Sequence, residues 1–201
     1  MATPTLMQHL DDFIYENNQA LESTICEDII DRFEEDDRTF QGVTTKGEDF
    51  TLKKSLDLAL STHEDWKDID DILFKSVSDN MEWYIDYLHR YTDLALWNTE
   101  GLGDNGYNVK RYVPGDYFNW HVDRQTNGNN VRTLAYIWYL NDNFEKGETQ
   151  FMYGRTIKPQ KGKLLIFPAS WTYPHRGVSP KKGNKYIVTT FLSTDESTAY
   201  E

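Results

Sequence analysis

The sequence predicts a mainly β domain, an antiparallel sandwich or barrel, braced by α-helices from its N-terminal half. Three observations carry that expectation. Residues 68–91 show strong helical periodicity. After Gly101-Leu102-Gly103 the apolar period falls from about 3.6 to two. Short apolar runs then follow one another, separated by turn-forming residues. At 201 residues the chain suits one fold unit.

Residues 1–20 are polar with scattered apolar positions and read as an arm. Thr24-x-x-Glu27 has the form of a capping box and opens a helix to about Glu35. Ile25, Ile29, Ile30 and Phe33 share one face of it, with Cys26 read as a small core residue. Residues 36–67 hold turn signals, Gln41-Gly42 and Lys46-Gly47, among short strands or loops. The helix at 68–91 places Ile69, Ile72, Leu73, Ser76, Val77, Met81, Tyr84, Leu88 and Tyr91 on one side. Acidic residues crowd its first turn, which suits the helix dipole. Its simplest role is a brace on a sheet.

Strands are predicted at 107–113, 117–123, 131–140, 149–153, 163–167, 177–178 and 185–192. Pro114-Gly115 and the polar stretches between the other runs supply the turns. The expected organisation is a helical support over 1–102, a β core over 103–194 and a tail over 195–201.

Formal net charge is −12, with the acidity concentrated before residue 105. Unspecific binding to nucleic acid needs a basic footprint, so that class is not expected. No run approaches the ~20 apolar residues that span a bilayer. One cysteine permits no internal disulfide, and no basic region followed by an apolar run opens the sequence. A cytoplasmic protein is the expectation.

Chemistry concentrates at Trp120-His121-Val122-Asp123. On a strand, residues two apart face the same way, so His121 and Asp123 offer an imidazole and a carboxylate to one metal. His-x-Asp by itself is weak: His9-Leu10-Asp11 and His63-Glu64-Asp65 also occur, in polar stretches that read as solvated surface. Only the third copy closes an aromatic strand after a Pro-Gly turn. His175, at the start of a short strand, is the candidate for the third member of a two-histidine, one-carboxylate set that leaves metal positions open; taken by itself it reads as a structural histidine. Lys185 heads the apolar run from Tyr186 to Leu192. An inward ammonium there is costly unless an acid pairs with it. A surface lysine at a strand end is the alternative.

Taken together, Arg111-Tyr112-x-Pro114-Gly115-Asp116-Tyr117-Phe118-x-Trp120-His121-x-Asp123, Tyr139-Leu140-Asn141-Asp142, Gly147-Glu148-Thr149-x-Phe151, Phe167-Pro168, Pro174-His175 and Lys185 resemble the iron(II)/2-oxoglutarate-dependent dioxygenases. Within them the series is most similar to the prolyl 4-hydroxylase-like branch. The resemblance implies a double-stranded β-helix, or jelly roll, with helices on one outer face. It implies His121, Asp123 and His175 as ligands of Fe(2+). Lys185 is then the anchor of the distal 2-oxoglutarate carboxylate, with Tyr112, Tyr139 and Thr149 beside the co-substrate. The alternative for both tyrosines is ordinary core packing. L-ascorbate enters as an optional reductant.

The implied reaction couples oxidative decarboxylation of 2-oxoglutarate, giving succinate and CO2, to hydroxylation of an unactivated C–H bond by O2. A prolyl residue in a peptide or protein is the first substrate class, with a small molecule as the alternative. Trp120, Trp138 and Trp171 form an aromatic wall for it or lie in the core, the core being favoured for Trp138. Two departures stand out. Lys146 replaces the first glycine of a Gly-Gly pair, which is expected to loosen a turn. Asn127-Gly128-Asn129-Asn130 reads as a solvent loop, or as a lid. The rival readings are a non-catalytic jelly-roll binding module and a cupin-like zinc or manganese isomerase. The latter leaves Lys185 and the tyrosines without a role. Oligomeric state is not legible.

Overall fold

A computed structural model of the protein describes residues 13–44, 47–89 and 102–195. Two helices and fourteen strands are found among them. The helices are α1 (Ser23–Glu35) and α2 (Lys67–Leu88). The strands before the β core are β1 (Tyr15–Asn17), β2 (Phe40–Gln41), β3 (Lys53–Lys54) and β4 (Leu56–Ala59). The core strands begin with β5 (Leu102–Asp104), β6 (Asn108–Tyr112), β7 (Tyr117–His121), β8 (Thr126–Asn127) and β9 (Asn130–Tyr139). They continue with β10 (Thr149–Phe151), β11 (Thr156–Ile157), β12 (Leu164–Pro168), β13 (His175–Gly177) and β14 (Lys185–Asp195).

These strands form a double-stranded β-helix. The larger antiparallel sheet runs β1-β12-β9-β14-β6-β4-β2, with β5 paired to β14 and β8 to β9. The smaller runs β11-β10-β13-β7-β3. Strands from before residue 102 therefore enter both sheets.

The larger sheet is buried on both faces, which is why β9 and β14 read as nearly continuous apolar runs. Along β9, Leu134, Tyr136 and Trp138 join Leu140 on one side in a core shared with Ile29, Phe33, Ile69, Leu73, Tyr84 and Leu88 of the helices. Ala135, Ile137 and Tyr139 point the other way, into a second core with Phe151, Phe167 and Ile187 between the sheets. The brace expected of α2 is present. Its buried residues are Ile69, Leu73, Ser76, Val77, Asn80, Met81, Tyr84 and Leu88. Asp68 and Asp70 stand in its first turn.

Several expectations need correction. The capping box is not used: α1 starts at Ser23, and the backbone carbonyl of Glu22 accepts from Cys26 N–H at 3.1 Å. Thr24 therefore lies inside the helix. The polar arm is in part an edge strand: Tyr15 pairs with Ile166 and Asn17 with Leu164. Its pairing comes from backbone groups that β12 offers, which leave no mark in the arm's own composition. The polar stretch after the His-x-Asp pair is solvent-exposed, as read, and is folded as a tight hairpin. Asn127 pairs with Asn130 across a turn in which Gly128 has φ +59°. Lys146, in place of the glycine, adopts φ +64°, the left-handed conformation that glycine accepts most easily. Cys26 is fully buried, as read from sequence. The arm before residue 13, the pair His9-Leu10-Asp11, Lys46 of the Lys46-Gly47 turn, Tyr91 of the helix pattern, Gly101 and residues 196–201 lie outside the described residues. Among the described residues no helix is long and apolar enough to cross a membrane.

Candidate metal centre and its cavity

β7 and β13 lie side by side in the smaller sheet, and their register sets His121 opposite His175. Directly opposed residues project from the same face, and the two imidazole centroids are 4.2 Å apart. Asp123 does not share the strand with His121, as period two had suggested. β7 ends at His121, where its pairing with His175 at the start of β13 also ends. From the segment just beyond β7 the Asp123 carboxylate still reaches both rings. Its Oδ1 is 3.5 Å from His121 Nε2, and its Oδ2 is 3.4 Å from His175 Nε2. One ligand atom from each residue lies within 4.8 Å of the others.

The backbone fixes both tautomers. His121 Nδ1 is 2.7 Å from the carbonyl of Asn119, and His175 Nδ1 is 3.1 Å from that of Tyr173. A carbonyl only accepts, so each Nδ1 carries its proton and each Nε2 turns a lone pair inward. Phe118 stacks on the His121 ring at 3.4 Å between centroids, nearly parallel. Burial acts to raise the Asp123 carboxyl, but the two imidazoles outweigh it and hold the group down to about 2. Burial pushes His175 down to about 4, against the pull of Asp123 and with the help of His121. Two imidazole nitrogens and one carboxylate thus converge, a donor set that fits a divalent transition metal such as iron(II).

Lys185 is buried on β14, opposite Tyr112 of β6. Its Nζ donates to the carbonyl of Gly147 at 2.8 Å. It sits 5.5 Å from the Tyr112 ring centroid and 5.6 Å from that of Tyr139. The Tyr139 hydroxyl and Thr149 Oγ1 are 2.7 Å apart. Burial drives the Lys185 ammonium down to about 8, with Glu148 pulling weakly the other way. Burial likewise raises Tyr112 and Tyr139, which stay neutral phenols. A cavity of about 430 Å³ joins the two groups: His121, Asp123, His175, Lys185, Tyr112 and Thr149 all line it.

Residues 107–193 match the 2OG-Fe(II) oxygenase superfamily. That stretch is therefore similar to the superfamily, and the fold agrees with solved structures over almost the full length of the chain. A viral collagen prolyl hydroxylase from Paramecium bursaria Chlorella virus-1, solved with 2OG, is 19% identical with a TM-score of 0.65. The match covers 90% of this chain and 96% of that one. A prolyl hydroxylase from Trichoplax adhaerens, in complex with a hypoxia inducible factor peptide fragment, is 17% identical with a TM-score of 0.70. There the coverage is 95% and 88%. A prolyl-4-hydroxylase from Pseudomonas putida is 16% identical with a TM-score of 0.63, covering 94% and 99%. At these identities the likeness concerns the fold. No curated protein matches the chain by sequence.

The cavity has walls that the motifs did not announce. Lys53, Asp57, Lys110 and Arg132 line it. Lys110 was legible in principle, since it lies two residues from Tyr112 on one strand and so shares its face. Lys53 and Asp57 were not, because reading 36–67 as short strands or loops did not fix which way their side chains face. Of the three tryptophans, Trp138 is core, whereas Trp171 is 72% and Trp120 39% exposed. Trp120 carries the Arg176 guanidinium over its ring at 4.9 Å.

Proposed function

We propose that this chain is an iron(II)- and 2-oxoglutarate-dependent hydroxylase acting on an unactivated C–H bond, with a prolyl peptide as its substrate class. One observation carries the reading: the His121–Asp123–His175 donor set and the buried, acid-seeking Lys185 open into one cavity. Residues 103–194 are the catalytic core in this reading. Residues 13–89 supply the helices, edge strands and part of the cavity wall.

His121, Asp123 and His175 would hold the iron through two Nε2 atoms and one carboxylate oxygen. Bound iron(II) supplies the activation of O2 that converts 2-oxoglutarate to succinate and CO2 and hydroxylates the substrate. The protein's own part is placement and exclusion of water. The carbonyls of Asn119 and Tyr173 aim the ligand nitrogens. The Phe118 ring covers one face of His121. Lys185 offers the distal carboxylate of 2-oxoglutarate a buried partner, so the anion and the cation relieve each other's desolvation. Tyr112 and Thr149 line the pocket around that pair, and Tyr139 backs it through its hydroxyl contact with Thr149. Ascorbate is the proposed reductant for iron that leaves the ferrous state. The peptide assignment draws support from the fold shared with a prolyl hydroxylase solved with a peptide fragment.

The test is succinate formation with iron(II), O2 and 2-oxoglutarate, for wild type and His121→Ala, followed by a search for a 16 Da gain in prolyl peptides. Succinate from the wild type alone, with mass gained at proline, supports the reading. Iron bound without any succinate would turn the assignment toward a binding module. Succinate without a modified peptide would move the substrate to small molecules.

A further inference from the structure

The charges in the cavity do not balance. The chain is strongly acidic, yet among the described residues lining the cavity Lys53, Lys110, Arg124, Arg132 and Lys185 face only Asp57 and Asp123. On the reading above, the two positive charges of iron(II) and the one on Lys185 are matched by Asp123 and the two carboxylates of 2-oxoglutarate. The surplus is then carried by the other wall.

That wall is a built cluster. Lys53 Nζ is 2.5 Å from Asp57 Oδ2, and Lys110 Nζ reaches the same oxygen at 3.3 Å. Ser55 donates to Asp57 Oδ1 at 2.7 Å. One buried carboxylate thus serves two ammonium groups and a hydroxyl, and one positive charge is left over. Lys53 is almost wholly buried. Burial and the neighbouring Lys110 push its ammonium down to about 8 despite Asp57. The cluster is also sterically reserved. A Cβ on Gly42 would come 2.9 Å from both Asp57 Oδ1 and Lys53 Cε.

It stands close to the metal centre. Lys53 Nζ lies 5.7 Å from the Phe118 ring centroid, and that ring is stacked on His121. On the other side, Lys110 pairs with Ile187, two residues along β14 from Lys185. The cluster therefore flanks both the donor set and the co-substrate anchor.

We propose that Lys53, Lys110 and Asp57 form a carboxylate subsite for the primary substrate, which is an acidic peptide. A glutamate or aspartate beside the reacting residue would complete the shared Asp57 network and take up its surplus charge. This inference rests on the oxygenase reading for the place of the reacting carbon, and on the cluster alone for the charge preference.

The experiment uses the full chain loaded with iron(II) and 2-oxoglutarate in the absence of oxygen. Two blocked prolyl pentapeptides are titrated by calorimetry, one with glutamate on each side of proline and one with glutamine in both places. Wild type is expected to bind the acidic peptide at least about tenfold more tightly, a difference typical of one charge-assisted contact. Lys110→Met and Lys53→Met each leave Asp57 one lysine, so the fold persists in both. In either variant the preference is expected to fall below about threefold. Equal affinity for the two peptides, failure of both to bind, or a preference that survives in both variants would overturn the subsite. A loss of 2-oxoglutarate affinity exceeding the loss of peptide preference would also overturn it and assign the cluster to the co-substrate. Absence of succinate from the wild type in the presence of oxygen strikes the oxygenase reading instead and leaves the measured charge preference standing.

Discussion

The two faces of the larger sheet are made by the same strands and do opposite work. On the helix side, Tyr136, Trp138 and Val188 are fully buried against α1 and α2, and their few polar atoms are satisfied. Trp138 Nε1 donates to Ser76 Oγ at 3.1 Å, and the Tyr84 hydroxyl donates to the Phe13 carbonyl at 2.9 Å. On the cavity side, one residue further along each strand, stand Lys185, Thr189 and, on β6, Lys110. Lys185 and Thr189 are buried there, and Lys110 is half-buried. The first face stabilises the fold. The second spends part of that stability to present groups that bind ligands. Alternation along a strand lets one chain segment serve both ends without compromise.

Changes on the two faces should therefore separate activity from stability. The largest effect is expected at the donor set. Asp123→Ala should lower succinate formation by at least roughly 1000-fold while leaving a cooperative melting transition. A variant that keeps full turnover would move the carboxylate ligand elsewhere. On the opposite face, Trp138→Ala should cost about 3–5 kcal/mol of stability through the cavity it opens. Chemical denaturation measures this, and a cost under about 1 kcal/mol would mean that the helix-side core is not tightly packed.

Lys185→Met should show the reverse sign. It removes a buried cation with one hydrogen bond, so the ligand-free protein should gain on the order of 1–3 kcal/mol. The same variant should weaken 2-oxoglutarate binding by about 100-fold. A destabilised variant with normal co-substrate affinity would place Lys185 among the structural residues.

The smallest effect is a pH dependence. Lys185 titrates near 8 in the ligand-free protein, against an ordinary value of 10.5. The unfolded chain therefore holds more protons between pH 8 and 10.5, and wild-type stability should rise across that window. Below pH 8 the full penalty of the buried charge is present. Binding an anion favours the protonated amine, so 2-oxoglutarate affinity should fall up to about tenfold per pH unit above 8. Titrations in two buffers of different ionisation enthalpy would reveal the accompanying proton uptake. A flat profile in wild type, or an unchanged slope in Lys185→Met, would assign the effect to another group.

Much of the fold was legible because its signals are local. The periodicity of α2 and the turn-bounded runs of β6, β7, β9, β12 and β14 follow from residues adjacent in sequence. The short strands β1, β3 and β4 were not legible as such. Two to four residues carry too little periodicity, and their pairing is decided by distant partners. At the metal centre the residue types could be read, but their arrangement could not. Asp123 lies beyond the end of β7, which is set by its pairing with His175, 54 positions after His121.

The sequence by itself determined the residue types: two imidazoles, one carboxylate and one lysine, each beside or within an apolar run. Those identities are covalent facts and need no fold. Only the tertiary structure decided that His121 and His175 oppose each other across a strand pair. It also decided that Lys185 faces inward and that Lys53 and Lys110 share Asp57. Each depends on register between segments far apart in the chain. A shift of one residue would turn every one of these side chains to the other face of its sheet.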